Sequence, residues 1–596
     1  MPTSPSILAR LAVLAVVIAG SSAQARQTHL TEFLGAAGDR TGHALAPAGD
    51  VDGDGFPDLL VGAPRQTSVW GTPDGAAWIA SGRHLATGAG PARLHTWSGS
   101  PFLPLGYALF GAALAGGADL DADGVPDAVV GSPKDAFLGP QGGSVSVFSG
   151  ATGALLARFD GAAHQALGSA VVLAGDVNGD GWIDLLAGAP VYDSNFGTAY
   201  GHAHVYSGEW IARTAAGQTP LTPAELAVTY GSWNHGDFGT SLAPLGDLDG
   251  DGLADYAVGA PRGGAFGGGY VSVFRGTSTQ PFVVIDGAAS ADCFGGSIAA
   301  VGDVDGDGLV DLAVGAWGTD VGTGNTLHGR VHLVRGAWLL QSGQGLPPSV
   351  SRDVWSRSGT AARDFFGSHV AGLGDLDADG VNEVAVGAPQ SGFGLPSGLG
   401  YVDVLSGRTG ERLFRAHGAQ VDGQFGARSA GVGDLDLDGR PDLAVGAPYD
   451  TAGGLDAGRV VLLRGLPPVG TALCVTSATP NSSGAVARLT ARGSASVSDA
   501  ALFFELAGAP GGRPVVLFRG DTPSFAPFGD GVRCAGGQLL RAGAGLTSPA
   551  GAWLRPHALG AAAVGSTFVF QAWFDDMPAA GLGFNASDAV QLVVAP

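Results

Sequence analysis

A nine-residue acidic loop recurs seven times in this chain, and this repetition constrains the fold more than any other feature. The first copy runs from Asp50 to Asp58 and reads DVDGDGFPD. The later copies begin at Asp119, Asp176, Asp247, Asp303, Asp375 and Asp434. Each copy is followed by an apolar run and then by Gly-Ala-Pro or a close variant. Such self-similarity predicts one large repeat domain plus a smaller one rather than several unrelated domains.

The loop has the ligand pattern of a calcium site. Ca²⁺ prefers six to eight oxygen ligands, and carboxylates at positions 1, 3 and 5 with a backbone carbonyl at position 7 can surround it when Gly at position 6 allows a sharp turn. All seven copies have Gly at position 6 and an acidic residue at position 9. The predicted ligands, up to seven ions in all, are Asp50, Asp52, Asp54, Phe56 and Asp58; Asp119, Asp121, Asp123, Val125 and Asp127; Asp176, Asn178, Asp180, Trp182 and Asp184; Asp247, Asp249, Asp251, Leu253 and Asp255; Asp303, Asp305, Asp307, Leu309 and Asp311; Asp375, Asp377, Asp379, Val381 and Glu383; and Asp434, Asp436, Asp438, Arg440 and Asp442.

Two other interpretations of the loop fit less well. An EF-hand needs Glu at position 12 and flanking helices, whereas position 12 is apolar here, as at Val61 and Val130, and a β-rich run follows. Acidic turns without a metal would bring four carboxylates together uncompensated, which like-charge repulsion disfavours. The loop therefore predicts a calcium site between two strands.

The formal charge of −23 follows largely from these loops. Their four side-chain ligand positions hold 27 carboxylates and one Asn, about half of the 53 Asp and Glu residues, and seven bound Ca²⁺ would leave −9. The acidity is thus metal-site charge rather than a surface field for basic partners, and nucleic-acid binding is disfavoured.

The first 25 residues have the pattern of a secretory signal peptide. Arg10 precedes an apolar segment, and Ala23-Gln24-Ala25 is an A-x-A cleavage site. An uncleaved membrane anchor is the alternative, but the apolar segment is short for a span of roughly 20 residues. We expect cleavage after Ala25 and a soluble monomer, secreted or at the cell surface, with no membrane span.

The three cysteines agree with export. An oxidising compartment would let Cys474 and Cys534 form a disulfide, although two free buried thiols remain the alternative. Cys293 stands alone and is expected to be a small core residue.

The repeats resemble FG-GAP repeats, the units of the integrin α-subunit β-propeller, over residues from about 30 to 466. The Phe-Gly element weakens to Leu167-Gly168 in repeat three and to Thr41-Gly42 in repeat one, and Gly-Ala-Pro becomes Gly-Ser-Pro or Gly-Ala-Trp at Pro133 and Trp317. Phe-Gly is intact at Phe110, Phe238, Phe294, Phe366 and Phe425, and Gly-Ala-Pro at Gly62, Gly188, Gly259, Gly387 and Gly446. The resemblance implies an all-β fold, a seven-bladed β-propeller with calcium-binding A–B loops, over residues 26–468 after a signal peptide at 1–25. Strand-like segments after residue 468 predict a small C-terminal β-sandwich over 469–596.

Each repeat is expected to supply four strands, A to D, to one blade. The last repeat has no convincing fourth strand, and residues 28–33 could supply it. Successive loops are separated alternately by about 70 and about 57 residues, and the surplus falls between strands C and D of repeats one, three and five, in residues 82–92, 208–225 and 336–351. This alternation indicates either neutral variation in loop length or a partner-binding rim on the calcium face.

Loops between strands B and C should lie at the opposite face, where integrins bind ligand. They carry Trp70, Phe137, Tyr192, Phe196, Phe266, Phe393 and Tyr449, which either stack on sugars and anchor a protein partner or pack locally. His164, His235 and His369 could converge at the channel mouth, but solvated or core histidines are commoner.

Motifs for catalysis are absent from the sequence. Lys134, the only lysine, follows Pro133, and there is no Walker A, H-E-x-x-H or G-x-S-x-G motif. The sequence predicts a non-enzymatic, calcium-stabilised adhesion or binding protein that recognises an extracellular protein or glycan. A carbohydrate-active enzyme with a channel-mouth site and a purely structural envelope or matrix component are the alternatives.

Overall fold

The computed structural model describes residues 29–67, 72–99, 108–190, 200–232, 236–264, 267–320, 326–346, 349–376, 380–390 and 398–465, with shorter segments between 468 and 593. The predicted signal peptide lies outside the described residues, as does Cys474, so signal cleavage and the disulfide to Cys534 stay predictions. Cys293 is a buried free thiol, as expected for a core residue.

Seven four-stranded antiparallel sheets, the blades of a β-propeller, make up residues 29–463 and confirm the predicted architecture. The first strand, β1 (His29–Leu34), belongs to the last blade. Blade 1 contains β2 (Ala44–Gly49), β3 (Asp58–Ala63), β4 (Ala76–Ala80) and β5 (Arg93–Ser98); blade 2, β6 (Ala113–Ala118), β7 (Asp127–Ser132), β8 (Ser144–Phe148) and β9 (Leu155–Asp160); blade 3, β10 (Ala170–Gly175), β11 (Asp184–Ala189), β12 (His202–Tyr206) and β13 (Glu225–Tyr230); and blade 4, β14 (Ser241–Gly246), β15 (Asp255–Ala260), β16 (Tyr270–Arg275) and β17 (Val283–Asp286).

The remaining blades repeat the same order of strands A, B, C and D. Blade 5 contains β18 (Phe294–Gly302), β19 (Asp311–Ala316), β20 (Arg330–Val334) and β21 (Asp353–Ser358); blade 6, β22 (His369–Gly372), β23 (Val384–Ala388), β24 (Tyr401–Leu405) and β25 (Arg412–His417); and blade 7, β26 (Arg428–Gly431), β27 (Leu443–Ala447) and β28 (Arg459–Leu463), with β1.

Blade 7 takes its outer strand from the start of the described chain. β1 pairs antiparallel with β28, with Phe33 opposite Val460. Strand β1 therefore fills the place of strand D, as the sequence predicted, and fastens the last blade to the segment that leads into the first. Backbone hydrogen bonds thus join β1, at the start of the described chain, to β28, at the end of the propeller.

Equivalent contacts join every pair of neighbouring blades, including the last and the first. A parallel bridge links the residue before strand C of one blade to the Phe, Leu or Thr of the Phe-Gly element in the next, as between Gly75 and Phe110. The bridge between Gly458 of blade 7 and Thr41 of blade 1 is the seventh of these. Inner strands β26 and β2 also lie side by side. The contacts between neighbouring blades thus run from blade 1 to blade 7 and back to blade 1.

The two glycines of the repeat motif explain how closely the blades approach. A methyl group on Gly62, from the Gly-Ala-Pro element of blade 1, would overlap the carbonyl oxygen of Gly111, from the Phe-Gly element of blade 2. Gly446 of blade 7 stands in the same relation to Gly42 of blade 1. Gly42 and Gly111 also have φ of 81° and 85°, which L side chains rarely adopt. The motif is therefore a backbone-to-backbone contact between blades.

The apolar core consists of one cluster at each of the seven blade junctions. The junction of blades 7 and 1, for example, buries Leu59 and Trp78 against Val432 and Leu462. Because each blade is covered by a neighbour on both faces, strand B is buried along its whole length in blades 1 to 5. This double burial accounts for the unbroken apolar run after each acidic loop.

Three short helices lie between strands C and D of alternate blades. They are α1 (Gly82–Thr87), α2 (Gly208–Ala215) and α3 (Gly336–Gly343), in blades 1, 3 and 5. They account for the alternating repeat length, and the sequence analysis did not predict that the surplus residues would be helical.

The C-terminal segments form two sheets that share a core, which agrees with the predicted β-sandwich. Leu489 and Phe504 of one sheet pack with Leu517 and Phe570 of the other. The first sheet contains β29 (Pro468–Val469), β31 (Arg488–Arg492), β32 (Leu502–Ala507) and β37 (Trp553–His557), and the second β30 (Thr471–Leu473), β39 (Phe584–Val593), β38 (Thr567–Asp575), β33 (Pro514–Gly520) and β36 (Leu540–Leu546). A hairpin of β34 (Thr522–Phe528) and β35 (Gly531–Gly536) accompanies them.

Candidate metal centres

Each acidic loop connects strand A to strand B of its blade, so all seven lie at the same end of the ring. We number them loops 1 to 7 in chain order. In loop 1 the carboxylate of Asp50 accepts hydrogen bonds from the backbone N–H groups of Asp54 and Gly55 at 3.0 and 2.9 Å. The N–H of Phe56 donates to Oδ1 of Asp54 at 3.0 Å. The φ of 88° at Gly55 permits this tight turn.

The position-9 aspartate ties the loop to strand C. In loop 2, Oδ2 of Asp127 accepts from the N–H of Leu120 at 2.7 Å, and Oδ1 accepts from the N–H of Gly150, just after β8, at 2.9 Å. The same pair of bonds occurs in loops 1, 3, 4, 5 and 7, through Asp58, Asp184, Asp255, Asp311 and Asp442. In loop 6, Glu383 accepts from the N–H of Leu376 at 2.6 Å. This residue therefore has a structural role in addition to its predicted ligand role.

Carboxylate oxygens converge in five of the seven loops. Oxygens from positions 1, 3 and 9 lie within 4.8 Å of one another in loops 1, 2, 5 and 7, and those from positions 1, 3 and 5 do so in loop 4. In loop 3, position 3 is an amide, and Nδ2 of Asn178 donates to Oδ2 of Asp180 at 2.9 Å. In loop 6, Asp377 and Asp379 lie outside the described residues. The five clusters could each hold a metal ion.

The residues fit a hard divalent cation. All side-chain donors in the five clusters are carboxylate oxygens, the type that Ca²⁺ prefers. Burial raises the pKa of Asp127 to about 7, despite hydrogen bonds from Gly150 and Leu120 that lower it, and the charges of Asp121 and Asp119 raise it further. The pKa of Asp311 is raised to about 7, again first by burial. The loops thus concentrate negative charge that the surrounding protein compensates only in part.

The position-7 residues lie beside these clusters. Their N–H groups donate to the position-5 carboxylate in loops 1 to 5 and 7, through Phe56, Val125, Trp182, Leu253, Leu309 and Arg440. This bond fixes the backbone next to the converging oxygens. The predicted coordination by their carbonyl oxygens, and by that of Val381, stays a prediction.

Sequence reasoning missed three arginines that contact the acidic loops. Arg275, Arg335 and Arg464 each form an ion pair with the position-3 aspartate of their own blade. The signal was present in the sequence, because the residue before the glycine that follows strand C is Arg in these three blades and Ser in the other four.

The B–C loops lie at the opposite end of the ring. Of the aromatic residues predicted there, Phe137 is 67% exposed. The guanidinium of Arg40 lies over the ring of Tyr449, 4.3 Å from the centre of that ring. Trp70, Tyr192, Phe196, Phe266 and Phe393 lie outside the described residues. Leu138 and Leu455 of the described B–C loops are also largely exposed, at 61% and 77%.

Of the three histidines considered for the channel mouth, His164 and His369 lie within the described residues. His369 begins β22 and its Nε2 lies 2.9 Å from the carbonyl oxygen of Ser429 in the next blade. His235 lies outside the described residues. His43, which the sequence analysis did not single out, occupies an inner position just before β2. Burial and the nearby Arg428 lower the pKa of His43 to about 3 and that of His369 to about 4.

Comparison with known families and proteins agrees with this architecture. A family model described as "FG-GAP repeat" matches residues 41–79, 167–206, 366–405 and 426–463, and one described as "FG-GAP-like repeat" matches 247–314. These segments include parts of six of the seven repeats. Repeat 2 falls outside them although it has the same four strands and the same loop bonds.

Several relatives are integrin α subunits. The chain is 33% identical to integrin alpha-5 of Xenopus laevis over 224 residues, which is 36% of this chain and 20% of the relative. It is 40% identical to human integrin alpha-IIb over 150 residues, 24% of this chain and 14% of the relative. Integrin alpha-V of Gallus gallus is 33% identical over 34% of this chain and 19% of the relative. The chain thus spans about a fifth or less of the length of these relatives.

One solved structure shows a distant likeness. Sqt1 of Saccharomyces cerevisiae gives a TM-score of 0.39 at 11% identity, over 73% of this chain and 98% of Sqt1, which is too low to support an inference. No helix in the described ranges is long and apolar enough to cross a bilayer.

Proposed function

We propose that this chain, an FG-GAP repeat protein with integrin-α-like repeats, is a secreted or cell-surface binding protein whose propeller is stabilised by calcium. One observation carries the proposal: the two ends of the ring differ. Regular, hydrogen-bonded acidic loops occupy one end, whereas the B–C loops at the other end share no such pattern and include the exposed Phe137, Leu138 and Leu455. A regular end suits a structural cofactor, and an irregular end suits recognition.

Calcium would be held by the carboxylates at positions 1, 3, 5 and 9 and by the position-7 carbonyl, in up to seven loops. Bound calcium would neutralise carboxylates that otherwise repel one another. Because the position-9 carboxylate also accepts hydrogen bonds from the turn after strand C, as Asp127 does from Gly150, an ordered loop would hold strands A, B and C of its blade together. Calcium would therefore act mainly on stability.

The ligand would bind at the end that carries the B–C loops. Phe137 and Leu138 in blade 2 present adjacent exposed apolar side chains there, and Leu455 does so in blade 7. Exposed aromatic and aliphatic side chains of this kind can stack on sugar rings or anchor a protein. We expect an extracellular protein or a glycan as the partner.

An array of extracellular-matrix proteins and glycans, probed with the full chain with and without EDTA, tests the proposal. We expect binding that weakens when Phe137 and Leu138 are both replaced by Ser. The matched control is Leu221→Ser, since Leu221 is 78% exposed but lies between strands C and D of blade 3, at the end of the acidic loops. Absence of any ligand, or equal loss of binding in the control, would contradict this assignment.

A further inference from the structure

The residue that precedes the glycine after strand C divides the blades into two groups. It is serine in blades 1, 2, 3 and 6, at Ser81, Ser149, Ser207 and Ser406, and arginine in blades 4, 5 and 7, at Arg275, Arg335 and Arg464. In blades 1 to 3 the serine hydroxyl caps the next turn. Oγ of Ser149, for example, accepts from the N–H of Thr152 at 3.1 Å.

Each arginine instead reaches back to the acidic loop of its own blade. Nη1 of Arg275 lies 2.9 Å from Oδ2 of Asp249, and Nε of Arg464 lies 2.9 Å from Oδ2 of Asp436. Arg335 forms the same pair with Asp305. The three aspartates all occupy position 3, and their side chains are only 7%, 11% and 13% exposed, respectively. The arginine side chains are more exposed, at 48%, 48% and 23%, so solvent still screens these pairs in part.

The arginine occupies only one oxygen of each carboxylate. Oδ1 of Asp436 and Oδ1 of Asp305 are buried and have no hydrogen-bond partner among the described residues. Both aspartates belong to the oxygen clusters of their loops, with Asp434 and Asp442 in loop 7 and with Asp303 and Asp311 in loop 5. In loops 5 and 7 the geometry leaves the inner oxygen for a cation while the guanidinium neutralises the outer one. In loop 4, Oδ1 of Asp249 also accepts from the N–H of Asp251 at 3.2 Å.

The arginine changes the charge that a cation would meet. A loop with four carboxylates has a formal charge of −4, and the paired guanidinium reduces it to −3 in loops 4 and 5. In loop 7 the paired guanidinium and Arg440 at position 7 together leave −2, and loop 3 has −3 without an arginine because Asn178 replaces one carboxylate. Loop 2 is the clearest contrast, because Ser149 and Ala151 flank its strand-C glycine. In blade 1, Arg83 follows the strand-C glycine but forms no ion pair with Asp52 among the described residues. Loop charge is one of the factors that set calcium affinity in such sites.

We propose that Arg275, Arg335 and Arg464 lower the calcium affinity of loops 4, 5 and 7 below that of loops 1 and 2. This inference rests on the proposed calcium binding. Each arginine lowers the calcium affinity of its loop, in loops 4, 5 and 7, by about tenfold. This is the order expected when one positive charge lies about 5 Å from a divalent ion in a water-like dielectric. Each arginine also acts as an internal counterion when calcium leaves. As free calcium falls, these three loops empty before loops 1 and 2.

Equilibrium dialysis of the full chain against a series of free calcium concentrations tests the proposal. We expect a weak class of sites beside tighter ones in the wild type. In the variant with Arg275→Ser, Arg335→Ser and Arg464→Ser, three sites should bind about tenfold more tightly, with the total number unchanged. Lysine at the same three positions should keep the weak class, because the charge is retained. Arg262→Ser is the surface-charge control, since Arg262 is 73% exposed and pairs with Asp237, at the opposite end of blade 4.

The reverse substitution gives an independent readout. Ser149→Arg places the guanidinium beside loop 2 and should weaken one site about tenfold, which keeps the proposal testable if the triple variant does not fold. Unchanged isotherms in the folded triple variant or in Ser149→Arg would overturn the proposal. Absence of bound calcium in the wild type would instead overturn the proposed calcium function, so the two failures are distinguishable.

Discussion

Oδ1 of Asp127 accepts a hydrogen bond from the backbone N–H of Gly150 at 2.9 Å, which joins the end of an acidic loop to the turn after strand C. The other oxygen of the same carboxylate accepts from the N–H of Leu120 at 2.7 Å. Asp121, at position 3 of this loop, belongs to the same oxygen cluster. The two aspartates should therefore differ in what they contribute when no metal is bound.

Asp127→Asn and Asp121→Asn separate these roles. Both variants should lose affinity for one calcium ion. In EDTA, Asp127→Asn should lower the free energy of unfolding by about 1 to 3 kcal/mol, because the amide cannot accept both backbone hydrogen bonds. Asp121→Asn should leave it unchanged or slightly higher, because one of several repelling charges is removed. Urea unfolding of both variants in EDTA checks this, and equal destabilisation would contradict the distinction.

Gly446→Ala tests the closure of the ring. The added methyl group would overlap the carbonyl oxygen of Gly42 in the neighbouring blade, so the junction of blades 7 and 1 must open. We expect the free energy of unfolding to fall by about 2 to 3 kcal/mol. Gly423→Ala is the control, because its nearest neighbour would be the carbonyl oxygen of Gln420 at 3.2 Å, within the same turn. Comparable stability of the two variants in chemical denaturation would argue against a closed junction.

Phe33→Ala tests whether β1 completes the last blade. Phe33 lies opposite Val460 and packs partly against the core between blades 7 and 1. Its loss should cost about 1.5 kcal/mol and speed hydrogen exchange along β28. Leu34→Ala, at a side chain that is 44% exposed, should have a much smaller effect. Unaltered exchange along β28 in the Phe33 variant would count against this pairing.

The buried histidines predict that acid weakens the ring. Burial, then Arg428 and Arg40, lower the pKa of His43 to about 3, and burial and Arg428 lower that of His369 to about 4, from 6.5. The unfolded chain therefore binds more protons below pH 6.5, so these groups' contribution to stability is complete above that pH and is lost as the pH falls towards 4.

His43→Gln and His369→Gln isolate this effect. Between pH 6.5 and 4.5, stability should fall less steeply in each variant than in the wild type, by at most about 1.4 kcal/mol per pH unit. Comparison at identical calcium concentration removes the titration of the acidic loops from the difference. Parallel curves of unfolding free energy against pH would contradict the assignment of buried neutral histidines.

Much of the architecture could be predicted because it repeats. Seven loops with Gly at position 6 fix the number of blades, and the missing strand D of the last repeat pointed to the segment that became β1. Thr41 and Leu167, which replace the Phe of the Phe-Gly element, still form the parallel bridge to the neighbouring blade, since backbone atoms make this contact.

The features that were not predicted depend on contacts between distant residues. The six to eight residues of each C–D helix are too few for a clear periodic signal, and α2 is held partly by the buried Glu209, which accepts from the N–H of Leu221 and Thr222. The ion pairs of Arg275, Arg335 and Arg464 join residues 26 to 30 positions apart. Spacing alone could not show that these side chains meet.

Elemental analysis of the purified chain, combined with thermal unfolding before and after EDTA, decides whether calcium stabilises the propeller. We expect several calcium ions per chain, up to seven, and a clear fall in melting temperature when they are removed, because an ion that binds only the folded state stabilises it. A metal-free protein whose melting temperature is the same with and without EDTA would contradict a calcium-stabilised propeller.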